Sequence, residues 1–152
     1  MGERKEKSMK LKSLYLVAIF VLGLFWGGEC RAQVRFRSGS MEELQQAAES
    51  ESKFIFVQLY ATWCAPCKNM LNNVFPQKRV GEFMNRHFIS AKFNVERGLG
   101  AILANEYEVD SIPVSLIFDS KGNFIDKVVL SCTEEEFLQY MKIILKELKE
   151  RY

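Results

Sequence analysis

The sequence predicts an α/β fold, a central mixed β-sheet flanked by helices on both faces. Three observations predict it. Phe54-Ile55-Phe56-Val57-Gln58-Leu59-Tyr60 is rich in aromatic and β-branched residues and apolar on both alternating faces, the pattern of a central strand covered by helices. From residue 41 onward, helical and strand patterns succeed one another in the order α-β-α-β-α-β-β-α, which requires parallel crossovers as well as one hairpin. The hairpin is marked by Ser120-Lys121-Gly122-Asn123 between two apolar runs.

Residues 33–40 form a polar lead-in with a short strand. Ser40 is a suitable N-cap, and Glu43 three positions later completes a capping box, so a helix is expected over 41–50. The strand at 54–60 is followed by a helix over 64–74 that ends near Phe75-Pro76. Residues 77–79 are expected as a loop or kink and 80–86 as a further helix, which His87 closes. A second central strand runs from 87 or 88 to 95. Gly98 and Gly100 mark a loop, and 101–107 a short helix. Gly98-x-Gly100 is not a phosphate cradle, because no strand–GxGxxG–helix context surrounds it. Strands at 114–119 and 124–130 enclose the hairpin turn. Thr133 with Glu136 is a second capping box. It opens a last helix to about residue 149, with Phe137, Tyr140, Met141, Ile144 and Leu148 at helical spacing.

The first 32 residues differ from the rest. Arg4, Lys5, Lys7, Lys10 and Lys12 precede an apolar run, 14–26, whose 13 residues match a signal-peptide core and are short for a membrane span. Cys30-Arg31-Ala32 places small residues at −3 and −1 of a cleavage site. We therefore expect a signal peptide over 1–32 and one domain over 33–152, exported and periplasmic. Retention through 14–26 as an anchor, or lipidation at Cys30, are the alternatives, and Glu29 fits a lipidation box poorly. Without 1–32 the chain has 15 Lys+Arg against 16 Asp+Glu, a net −1, so the formal +2 belongs to the leader. No basic patch with interleaved aromatics exists, and nucleic acid is not an expected partner. A monomer is expected.

The chemistry centres on Trp63-Cys64-Ala65-Pro66-Cys67-Lys68. Cysteines at i and i+3 on the first turn of a helix share a face, within the Cα separation a disulfide tolerates. A strand–CxxC–helix order puts Cys64 at a helix N-terminus, where backbone N–H groups and the helix dipole favour a thiolate. Half a zinc site is the competing reading. It needs two more ligands, and only Cys132 and His87 remain, neither in a paired spacing, so no metal is expected. Cys132 is expected as a partly buried bystander.

Several segments together resemble the thioredoxin superfamily over nearly all of 41–149. They are residues 61–68, then Ala91-Lys92-Phe93-Asn94-Val95-Glu96, then Tyr107-Glu108-Val109 with Ser111-Ile112-Pro113, then the Gly122 hairpin. Val74-Phe75, Val80, Phe83-Met84-Asn85 and His87-Phe88-Ile89 look like the longer segment after CxxC in exported members. One such relative is the reducing C-terminal domain of the membrane thiol:disulfide interchange reductase that serves the bacterial periplasm.

The resemblance implies a thioredoxin fold and thiol–disulfide exchange with client proteins. Cys64 would attack, and Cys67 would resolve the mixed disulfide. Pro66 would sit in the first helical turn, where a missing N–H costs little. Ala65-Pro66 is close to the Gly-Pro pair of thioredoxin and favours reduction. Trp63 would flank the pair. Pro113 would be cis and turn the Ile112 backbone toward the cysteines, where an extended client strand can pair. Lys92 would lie beneath the pair and stabilise the thiolate, or else snorkel to solvent. Gln58 stands where thioredoxin has a buried aspartate, and an amide cannot act as general base for Cys67. No cofactor is needed, because the cysteine pair is the redox group. A membrane or soluble thiol donor would supply electrons. The alternatives are a disulfide oxidase or isomerase, or a non-catalytic thioredoxin-like binding module. Copper delivery is a further variant of the last, and His87 would then have to act as a ligand.

Overall fold

A computed structural model describes residues 33–151. The expected leader, with its apolar run and Cys30, lies outside the described residues. The elements are β1 (Phe36–Arg37), α1 (Met41–Glu51), β2 (Phe54–Tyr60), α2 (Ala65–Asn69) continued by a π-helical turn (Met70–Val74), α3 (Lys78–His87), β3 (Phe88–Asn94), α4 (Gly98–Glu106), β4 (Val114–Phe118), β5 (Phe124–Val129) and α5 (Glu134–Arg151).

The strands form one sheet in the order β1-β3-β2-β4-β5. β1 and β2 run parallel to β3, while β4 runs antiparallel to both β2 and β5. This direction pattern matters for the site. It brings the C-terminal ends of β2 and β3 and the N-terminal end of β4 to one pole of the sheet. Side-chain alternation then divides the core into two layers. Phe56, Phe88 and Ile117 pack with Met70, Val74, Val80, Met84 and the apolar face of α5. Ile55, Val57, Leu59, Ile89, Val114 and Leu116 pack with Leu44 and Ala48 of α1 and Leu103 of α4.

Local chemistry explains the boundaries. Ser40 Oγ accepts from the Glu43 N–H while Glu43 accepts from the Ser40 N–H, the expected reciprocal cap. Thr133 and Glu136 exchange the same pair of bonds at the head of α5. Asp119 closes the hairpin by accepting from the backbone N–H groups of Lys121 and Asn123, and Gly122 supplies the positive φ of 80° that the turn requires.

Most ends shift by a residue or so from expectation, and three differences bear on the packing. α3 begins at Lys78 and takes in part of the expected 77–79 loop. α4 begins at Gly98, so the two glycines form its first turn rather than a loop. Gly98 has φ 55°, and a Cβ at Gly100 would run into the Asn94 carbonyl, so α4 lies directly on the end of β3. The third difference is the π turn after α2, where the Phe75 N–H donates to the Met70 carbonyl at 3.0 Å. This wider turn accompanies a buried Phe75 packed edge-on against Phe36, Phe56 and Phe137, with ring centroids 5.2, 6.2 and 5.4 Å away.

Candidate active site

β2 ends at Tyr60, and the chain turns through Ala61 to Trp63 into the first turn of α2. Cys64 is the N-cap residue, with extended backbone angles, and its Sγ accepts from the Cys67 N–H at 3.1 Å. Cys64 and Cys67 are joined by a disulfide with Cα atoms 5.3 Å apart. Both are nearly covered, at 3% and 1% exposure, and Tyr60, Val95 and Ile112 pack around them. Pro66 lies in the first turn and is exposed, as its missing N–H allows. In the reduced state the same Cys67 N–H would face a Cys64 thiolate, which favours the charged form.

The opposite wall comes from the start of β4. The Ile112–Pro113 bond is cis, and the Ile112 carbonyl oxygen lies 3.9 Å from Cys64 Sγ. The Leu130 N–H donates to the Pro113 carbonyl at 3.3 Å and ties this turn to the strand beyond. Trp63 is 68% exposed beside the pair and not a core aromatic. Its indole N–H donates to Glu96 Oε1 at 2.9 Å, and Asn94 Oδ1 in turn accepts from the Glu96 N–H at 2.8 Å. The role of Glu96 was not legible in the sequence, because its partner stands 33 positions away.

Gln58 is buried at 2% exposure. Its Nε2 donates to the carbonyls of Leu59 and Val114, both at 3.1 Å, and its Oε1 accepts from Ser115 Oγ at 2.9 Å. Lys92 is its register partner on β3, on the same face of the sheet. The two side chains part from there. Gln58 turns toward β4, whereas Lys92 is exposed and sets its ammonium 5.3 Å from the ring centroid of Phe36 on β1. The partner the structure gives Lys92 is thus an aromatic ring of the edge strand.

His87 ends α3 and packs at a tilt against Phe83, with ring centroids 5.0 Å apart. It precedes the first residue of β3, while Cys64 follows the last residue of the parallel β2. Seven-residue strands put roughly 20 Å between those poles, so His87 is no partner for the pair. Burial, then the charges of Lys149, Arg86 and Lys53, push its pKa down. Cys132 is a free, half-buried thiol packed against the core beside α5. Burial, with the Glu136 charge, pushes its pKa up to about 11, so it is inert near neutrality.

This geometry defines a redox-capable cysteine pair on a thioredoxin architecture, and comparison with known proteins agrees. Residues 41–144 match the thioredoxin-like domain family, and the chain belongs to it. It is similar to the thiol:disulfide interchange protein DsbD of Yersinia pestis, 29% identical over 98 residues, covering 62% of this chain and 16% of that protein. The chain therefore spans about a sixth of the length of these first relatives. It is also similar to the thiol-disulfide oxidoreductase ResA of Bacillus cereus, 25% identical over 112 residues, covering 62% of this chain and 65% of that one. Among solved structures, a proposed disulphide-isomerase from Bacteroides thetaiotaomicron superimposes with a TM-score of 0.65. It is 34% identical, over 73% of this chain and 92% of that one.

Proposed function

We propose that the chain is an exported protein-disulfide oxidoreductase that works in the reducing direction. The observation that carries the chemistry is the Cys64–Cys67 disulfide at the head of α2, facing the Ile112–Pro113 turn. In the reduced state the Cys64 thiolate attacks a client disulfide. A Cys64–client disulfide forms and the first client thiolate leaves. Cys67 then loses its proton and attacks Cys64 Sγ. The Cys64–Cys67 disulfide forms and the second client thiolate leaves, so two electrons have passed to the client. A dithiol donor, membrane-bound or soluble, returns the pair to the reduced state by the reverse exchange. The solvent or a departing client thiolate takes the Cys67 proton, because Gln58 is an amide.

Ala65-Pro66 between the cysteines supports reduction, and the basic segment followed by the 14–26 apolar run supports export to a periplasm. The likeness to a proposed disulphide-isomerase favours isomerisation as the second reading. A measured reduction potential decides. A value near roughly −270 mV supports the reductase, near roughly −180 mV the isomerase, and near roughly −120 mV an oxidase. Trapping with Cys67→Ala in the native cell, followed by identification of the proteins bound to Cys64, names the client.

A further inference from the structure

We propose that Gln58 is a positioning residue: through Val114 it sets where the Ile112–Pro113 turn stands against the cysteine pair, and so governs how tightly a client strand docks. The inference rests on the oxidoreductase reading.

The β2–β4 ladder ends at the pair Leu59 and Val114. Beyond it stands Pro113, which has no N–H to continue the ladder. The turn that faces Cys64 therefore begins where regular pairing stops. Beside the ladder pairing of Leu59 with Val114, two further bonds fasten it there. The Leu130 N–H holds the Pro113 carbonyl from the β5 side, and the Gln58 amide holds the Val114 carbonyl from the β2 side. Ser115 Oγ donates to Gln58 Oε1 and so orients the amide with its N–H groups toward Val114 and Leu59. Both Gln58 and Ser115 are buried, and water cannot replace either bond at low cost.

Few side chains meet this demand. A leucine fills the space but removes the side-chain bond that reinforces the ladder at the Val114 carbonyl, and leaves Ser115 Oγ without its acceptor. A glutamate accepts from Ser115, yet when ionised it points an oxygen at two carbonyls. Only the amide donates on one side and accepts on the other, and it does so at every pH.

The test uses the full chain with Gln58→Leu and Gln58→Glu. KM and kcat are measured for insulin disulfide reduction, beside the second-order rate at which dithiothreitol reduces the Cys64–Cys67 disulfide. The small dithiol needs no strand docking and reports on the pair alone. Gln58→Leu is expected to raise KM for insulin about tenfold, with kcat and the dithiothreitol rate within about twofold of wild type. In Gln58→Glu, KM is expected to climb with pH as the buried carboxyl ionises, while the wild-type KM stays flat. Ser115→Ala removes only the bond that orients the amide and is expected to raise KM about threefold. It serves if Gln58→Leu does not fold. Unchanged KM in the folded variants overturns the proposal, and so does a dithiothreitol rate that falls in step with the rise in KM. An absence of insulin turnover by the wild type overturns the oxidoreductase reading itself, and this inference with it.

Discussion

Replacing Gly100 with alanine sets two effects of opposite sign against each other. Gly100 lies inside α4, where helix propensity alone favours alanine by about 1 kcal/mol. The new Cβ, however, would meet the carbonyl of Asn94 and sit 3.0 Å from Phe93 Cβ. The first obstacle is backbone, and it is held: the Arg97 N–H donates to that carbonyl at 3.3 Å, and Asn94 is itself buried. Relief requires α4 to lift from β3, which overpacking data place at about 1–3 kcal/mol or more. With a backbone obstacle the upper part of that range applies, and it exceeds the propensity gain. The net is a loss of about 1–2 kcal/mol, or about 4–8 °C in Tm for a domain near 120 residues. Thermal unfolding followed by circular dichroism measures it. A Tm at or above that of the parent protein would refute the packing argument and leave propensity in command.

Phe75→Ala deletes a buried ring that touches three others, and urea unfolding is expected to show a loss of about 3–5 kcal/mol; a loss under about 1 kcal/mol would mean that the π turn does not depend on this ring. Lys53 and then Arg37 hold the Glu51 carboxyl below the ordinary value near 4.5. A carboxylate lowered on folding stabilises above its unfolded pKa, and that contribution is lost as pH falls through the lower folded value. Glu51→Gln is therefore expected to flatten the acid limb of the stability profile, and an unchanged limb would contradict the pairing. With its pKa near 11, Cys132 in the reduced protein is expected to react with iodoacetamide far more slowly than Cys64 at pH 8, read by mass spectrometry; equal rates would contradict its burial.

Strong local signals placed most elements. Residues 54–60 are apolar on both faces, and β2 has those bounds. Both capping boxes formed because each needs only two side chains three residues apart. What escaped was set by partners distant in sequence. Nothing in Met70 to Val74 separates a π turn from an α turn, because the demand comes from rings at 36, 56 and 137. Gly98 and Gly100 signalled a loop, yet the physical requirement at Gly100 is close approach to β3, which helix and loop satisfy equally in sequence. At the site, the cysteines and the Ile112–Pro113 turn were legible from spacing and resemblance. The direction in which Lys92 leaves the sheet was not, since it depends on Phe36. The bridge from Gln58 to Val114 and Ser115 was also hidden, because it crosses 56 and 57 positions of chain.

The proposed function stands or falls on electron exchange between the Cys64–Cys67 pair and protein disulfides. Insulin reduction by dithiothreitol, followed as precipitation of the freed chains, tests it with the full-length protein beside Cys64→Ser. The wild type is expected to accelerate reduction in proportion to its concentration, and Cys64→Ser to return the rate to that of dithiothreitol alone. Acceleration that survives in Cys64→Ser would contradict it.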